Sequence, residues 1–194
     1  MSERPALDVV GLFMAHGRRR YGEGVTDLHH ALQCAALARG QGADDELVLA
    51  ALVHDIGRLL AVEAAADGKP RAESSHDHHA AWGAAALRPF VPARTLAAVE
   101  RHVAAKRYLC AVDPTYAGAL SAASVRSLAA QGGPLSADER ARFDAEPWAE
   151  EALRLRRWDD SAKDPAAACA PLGDYRPLLV RYLGRQSEES APAR

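Results

Sequence analysis

The chain has 194 residues, a hydrophobic content of 48%, a charged content of 26% and a formal net charge of −2. That length suits one domain with a substantial core, and the near-neutral balance excludes both a basic nucleic-acid footprint and a polyacidic solvating tail. No apolar run reaches the length of a membrane span, and the opening residues MSERPALDVV lack a secretory leader's apolar stretch, so a cytoplasmic location without membrane or nucleic-acid partners is expected.

Period-two runs of β-branched residues are nearly absent, while Ala, Leu, Arg and Glu dominate, so the pattern predicts an all-α fold. A first helix is expected over 6–17, with Leu7, Val10, Phe13 and Met14 on one face. RRRYGEGV reads as a glycine-rich loop that ends at Thr26, a helix N-cap. The next helix runs over 27–39 and stops at Gly40-Gln41-Gly42. Asp44 and Asp45 open another, continuous to about residue 60. Residues 66–75 read as a mobile loop around Gly68 and Pro70. Helices follow over 76–88 and 92–108, and Asp113-Pro114 starts a turn or irregular piece. A helix over 121–130 closes at Gly132-Gly133-Pro134, two more flank Pro147, and a last one covers 174–183. The expected organisation is a single domain over 1–185 and a disordered tail over 186–194.

Cys34, Cys110 and Cys169 are widely spaced and odd in number, which predicts reduced thiols. The basic runs Arg18-Arg19-Arg20 and 154–157 read as solvated helix ends. Histidine is the anomaly, with six of the eight between positions 29 and 79.

His54-Asp55 lies inside VLAALVHDIGRLL, on a helix that is mostly buried. A buried ionised carboxylate needs a cation or a cationic partner. His30 precedes His54 by about one helix plus one loop, and His79 and His102 follow at similar intervals. Four consecutive helices can therefore each deliver one ligand to a shared centre. A further carboxylate comes from Asp159 or Asp160 in RRWDDSAK. Alone, an HD pair is more often an ordinary ion pair, and one extra histidine a satisfied core residue. Four at this spacing reverse those odds.

These residues resemble the HD superfamily pattern H…HD…H…H…D, a helical bundle with a dinuclear metal site in its core. The segments GEGVTDLHHALQCA, HDIG, HHAAWGAAAL, RHVAAKRYL, LSAASVRSLAAQGG and RRWDDSAK are similar to the HD-domain mixed-valent di-iron oxygenases of organophosphonate breakdown, relatives of myo-inositol oxygenase. The likeness spans about 22–163. It implies that His30, His54, Asp55 and Asp159 hold one iron, and that Asp55, His79 and His102 hold the other, with Asp55 bridging. It selects Asp159 over Asp160 and leaves His29, His76 and His78 outside the ligand set.

The resemblance also implies that Lys106, Ser124 and Ser127 bind the phosphonate, and that Glu23 reads an ammonium group of the substrate. Where family members often carry a tyrosine that caps the second iron, this chain has Arg20, with Tyr21 one residue later. Where they often carry a histidine that touches the phosphonate, it has Arg58, whose guanidinium can still bind an anion. The implied activity is O2-dependent cleavage of the C–P bond of a 1-hydroxy-2-(amino or N-methylated amino)ethylphosphonate, giving phosphate and glycine or a methylated glycine. The implied cofactors are two iron ions, Fe(II) and Fe(III), with O2 as co-substrate. An upstream hydroxylase would supply the substrate without a stable complex. Two other readings stay open: a metal-dependent HD phosphohydrolase acting on a phosphate ester or nucleotide, and a non-catalytic metal-stabilised binding module. Oligomeric state and the methylation of the substrate nitrogen are not legible.

Overall fold

The computed structural model describes residues 6–22, 24–66 and 75–187, with the backbone alone for 21, 22 and 75–77. The expected loop at 66–75 and tail at 186–194 therefore lie largely outside the described residues, as does Glu23. Eleven α-helices are described: α1 (Val9–His16), α2 (Asp27–Gly40), α3 (Asp45–Val53), α4 (Ile56–Ala66), α5 (Ser75–Leu87), α6 (Ala93–Val112), α7 (Pro114–Ala119), α8 (Ala122–Ala130), α9 (Ala137–Asp144), α10 (Ala149–Ser161) and α11 (Arg176–Leu183). The fold is all-α, as the composition predicts. Among the described residues no helix is long and apolar enough to cross a membrane.

The helix starts follow local chemistry. Thr26 accepts from the His29 N–H, Asp44 from Leu47, and Ser121 from Ser124, each satisfying a donor that the first turn leaves unpaired. From Leu47 to Val53 every residue of α3 is buried, so this helix is apolar all round and forms the centre of the bundle. Around it the main core joins Leu12, Phe13, Cys34, Ile56, Leu87, Leu155, Trp158 and Leu179. α2, α5, α6 and α10 surround the point where α3 passes into α4.

Three features depart from the expected elements. The helix expected to run unbroken to about residue 60 is interrupted at His54-Asp55, between α3 and α4. There the Arg58 N–H bonds to the Asp55 carbonyl at 2.9 Å, a tighter three-residue turn than the α-helix allows. The Asp113-Pro114 piece is the short helix α7. Asp113 accepts from the N–H groups of Thr115 and Tyr116 and Pro114 takes the first helical position, so the signals of a turn were those of a helix start. The glycine-rich loop carries two short antiparallel strands, β1 (Arg20–Gly22) and β2 (Val25–Thr26).

Gln186, expected in the tail, is buried. It accepts from the N–H groups of Val9 and Val10 at 2.8 and 3.2 Å and donates to the Leu7 carbonyl at 2.8 Å. Its amide thus satisfies the open first turn of α1 and ties the two ends of the chain together.

Gly57, two residues after Asp55, lets α4 lie directly against α5. A Cβ built there would stand 2.0 Å from the His79 carbonyl oxygen and 2.7 Å from the Gly83 nitrogen, both backbone atoms. Gly57→Ala must push the two helices apart. It should destabilise the fold by about 2–3 kcal/mol, lowering the melting temperature by roughly 5–10 °C. Thermal unfolding of the metal-free protein, with Gly118→Ala as the unhindered control, measures this.

Candidate metal centre

Six side chains from five helical segments meet beneath the surface. His30 comes from α2, His54 and Asp55 from the break between α3 and α4, His79 from α5, His102 from α6 and Asp159 from α10. All four imidazoles and Asp159 are buried. His30 Nε2 lies 3.3 Å from His54 Nε2 and 3.3 Å from Asp159 Oδ1. His79 Nε2 lies 3.1 Å from His102 Nε2 and 3.1 Å from Asp55 Oδ1. Asp55 joins the two halves, because its other oxygen, Oδ2, is 3.8 Å from His54 Nε2.

The ring orientations are fixed from behind. His30 Nδ1 donates to the Ala162 carbonyl at 2.9 Å, His54 Nδ1 to Ala51 at 2.9 Å, and His102 Nδ1 to Val99 at 2.7 Å. A carbonyl can only accept, so each Nδ1 carries a proton and each ring turns its Nε2 inward. Two Nε2 atoms facing each other at 3.3 Å need a cation between them, a proton or a metal ion. The donor set therefore fits bound metal, and three nitrogens or oxygens gather on each side, with Asp55 available to both.

Charge agrees with this geometry at His102 and His54, whereas at His30 burial is overcome by Cys34 and Asp159, which hold that imidazole well above its ordinary value. Burial holds the His102 imidazole down to about 3, reinforced by His79 and His54, so it stays neutral and ready to ligate. Burial likewise lowers His54. For Asp55 burial works in the opposite direction, but His54 and His79 carry it well below the usual carboxylate range. Asp159 behaves alike, with burial opposed by Arg156 and by the imidazoles of His30 and His54.

Above the cluster is a cavity of about 130 Å³ whose lining includes Asp55, His79, His102 and Asp159 at the base. Lys106, Ser124 and Ser127, the residues expected to bind phosphonate, line its wall. The Lys106 ammonium donates to Ser127 Oγ at 2.7 Å. Arg58 also lines it, with Nε 3.6 Å from Asp27 Oδ1 and 4.0 Å from Asp55 Oδ2. Tyr21 and Glu23 were expected here too, but the side chain of Tyr21 and all of Glu23 lie outside the described residues.

The structure adds Arg156, Lys163 and Gln131 to the lining. Arg156 corrects the reading of 154–157 as solvated, since only Arg157 of that run is exposed. Arg156 Nη1 is 2.7 Å from Asp159 Oδ2, while its Nε and Nη2 grip Asp160. The sign available in the sequence was position, three residues before Asp159 and on the same helical face. Asp160, the alternative ligand, turns instead to Arg156, Lys163 and the Tyr116 hydroxyl.

His29 Nε2 bonds the Ala167 carbonyl at 2.9 Å, His78 is exposed, and the His76 side chain lies outside the described residues. The three cysteines are free. Cys34 has a position that spacing alone did not reveal: its Sγ is 3.7 Å from His30 Nε2, one helical turn along α2.

The HD-domain family model matches residues 27–160, a span that holds all six clustered side chains. The chain is 40% identical over 178 residues to a hydroxymethylphosphonate dioxygenase of Gimesia maris, covering 90% of this chain and 88% of that protein. It is 35% identical over 177 residues to a [1-hydroxy-2-(trimethylamino)ethyl]phosphonate dioxygenase (glycine-betaine-forming) of Leisingera caerulea, again covering 90% and 88%. With the residue cluster complete and both relatives matched along almost their whole length, the chain belongs to the HD-domain family, in the group that contains these dioxygenases.

Proposed function

We propose that this protein is a di-iron oxygenase that cleaves the C–P bond of a 1-hydroxyalkylphosphonate with O2. The observation that carries the reading is the placement of a complete nitrogen and carboxylate cluster at the base of a cavity walled by cations. The net reaction inserts both oxygen atoms: the hydroxyl-bearing carbon becomes a carboxylate, the C–P bond breaks, and phosphorus leaves as phosphate. An aminated tail would give glycine or a methylated glycine, and a bare hydroxymethyl group would give formate.

In this reading His30, His54, Asp55 and Asp159 hold one iron, and Asp55, His79 and His102 hold the other. Histidine and carboxylate ligation suits iron, and when bound as Fe(II) and Fe(III) the pair supplies binding of the substrate's oxygens and activation of O2. The chain's own work is positioning. Lys106, Ser124 and Ser127 receive the phosphonate oxygens, with Lys106 supplying the charge and the serines hydroxyl donors. Arg58 and Arg156 extend the positive wall. Glu23 and Tyr21 stay in the reading as residues of the substrate side, Glu23 toward an ammonium and Tyr21 toward the second metal. A hydroxylase acting on the parent alkylphosphonate would supply the substrate.

Iron-loaded protein given hydroxyphosphonates should consume O2 and release phosphate together. Phosphate released from esters without oxygen, and none from hydroxyphosphonates with it, would replace the reading with the hydrolase. Asp55→Ala removes the carboxylate shared by both halves and should leave little metal bound, measured by elemental analysis, and no O2 uptake.

Lys106→Ala should raise KM by about 10–100-fold with a smaller change in kcat, the loss expected for a charged hydrogen bond. Steady-state kinetics across a phosphonate titration tests it. Burial, with Arg156 adding repulsion and Asp159, Asp160 and Cys110 opposing, brings the Lys106 ammonium down to about 8. The lysine is charged below that pH and neutral above it. kcat/KM should therefore fall as pH rises through about 8, and the Lys106→Ala profile should lack that limb.

A further inference from the structure

We infer that Asp160 is a positioning residue for the metal centre: by holding Arg156 against Asp159 it sets the reduction potential of the iron that Asp159 would hold. This rests on the oxygenase reading and adds the redox poise of the same site. Asp159 offers its two oxygens to different neighbours. Oδ1 stands 3.3 Å from His30 Nε2 and 3.9 Å from His54 Nε2, whereas Oδ2 stands 2.7 Å from Arg156 Nη1. Oδ1 is thus the oxygen turned to the cluster, while Oδ2 is committed to a guanidinium.

Arg156 is itself fixed from the far side. Its Nε donates to Asp160 Oδ2 at 2.7 Å and to the Tyr116 hydroxyl at 3.2 Å, and its Nη2 grips Asp160 Oδ1. Tyr116 in turn donates to Asp160 Oδ2, and Lys163 Nζ lies 3.2 Å from Asp160 Oδ1. Arg156 and Asp159 are both buried, so charge acts between them with little screening by water or salt. Asp160 does not line the cavity over the cluster, and its part is played through Arg156 rather than on a substrate.

Partners that hold a metal ligand tune the metal as well as orient the ligand. Here the sign follows from charge. The arginine stays protonated, and a cation on a ligating carboxylate draws electron density away from it. Weaker donation costs Fe(III) more than Fe(II), so Arg156 raises the potential. Asp160 offsets this, because its carboxylate binds the same guanidinium and returns negative charge to the neighbourhood. The two residues therefore push the Fe(III)/Fe(II) balance in opposite directions, although both belong to one ion-paired unit. Damage to packing alone has no reason to do so.

The test is a potentiometric titration of the iron-loaded protein without phosphonate, followed by electron paramagnetic resonance, with iron content measured in every variant. In Asp160→Asn, which keeps the shape and drops the charge, the midpoint should rise. The expected shift corresponds to about tenfold in the ratio of reduced to oxidised iron at a fixed potential. In Arg156→Met the midpoint should fall by a similar amount, and Arg156→Lys should stay near the unmodified protein. The double variant Arg156→Met with Asp160→Asn removes one charge of each sign and should return toward it. Midpoints that do not move, or that move the same way in Asp160→Asn and Arg156→Met, overturn the inference; O2-dependent phosphate release by the unmodified protein then leaves the oxygenase reading standing. No iron pair bound by the unmodified protein sinks both. Should Arg156→Met not fold, Asp160→Asn decides, and a midpoint unchanged or lowered there overturns the inference.

Discussion

Four buried imidazoles with their Nε2 atoms turned toward one another, beside two buried carboxylates, constitute the constraint around which this bundle is arranged. Such a set is unfavourable in isolation: the imidazole nitrogens crowd one another away from water, and an ionised carboxylate removed from water costs several kcal/mol without a partner. The chain does not relieve this by rotating the rings outward, because backbone carbonyls of Ala51, Val99 and Ala162 hold three of them from behind. Bound cations relieve it, and so join the fold's energetics to its chemistry. The surrounding packing serves the same end. α3 is apolar on all sides and can sit at the centre, and Gly57 allows α4 and α5 to close on the point where their ligands meet.

The all-α class, most helix starts and the convergence of the six side chains were legible in the sequence, for physical reasons that differ. Helix starts are local, readable from a capping side chain such as Thr26 or Asp44. The convergence was legible because clustered buried histidines are uncommon, and His30, His54, His79 and His102 recur at one per helix. The choice of Asp159 over Asp160 was not in the residues themselves and came from the family likeness. Geometry now gives a reason for the division: Asp159 turns to His30, while Asp160 turns away to Arg156 and Lys163.

What the sequence hid was tertiary. Arg156 sits among arginines of which only Arg157 is exposed, and its place one turn before Asp159 was the one sign that it faces inward. The break at His54-Asp55 was hidden because the residues on both sides are good helix formers, and only convergence on a shared centre interrupts them. Asp113-Pro114 was ambiguous because turns and helix starts use the same chemistry. Gln186 looked like tail until its amide was seen to cap a helix far away in sequence.

The polar groups around the cavity form a graded sequence of charge. At the base lie the metal-facing carboxylates. Beside them Arg156 bridges Asp159 to Asp160, and beyond that Asp160 receives Lys163 and the Tyr116 hydroxyl. A buried arginine held by two carboxylates is costly to break, since its loss leaves both of them without their shared cation. The same arrangement keeps the guanidinium rigid and its partner acid out of the cavity. Lys106 is different: among the described residues its ammonium donates to a neutral hydroxyl, that of Ser127. In the proposed reading an anion entering this space is drawn to the Lys106 side of the wall.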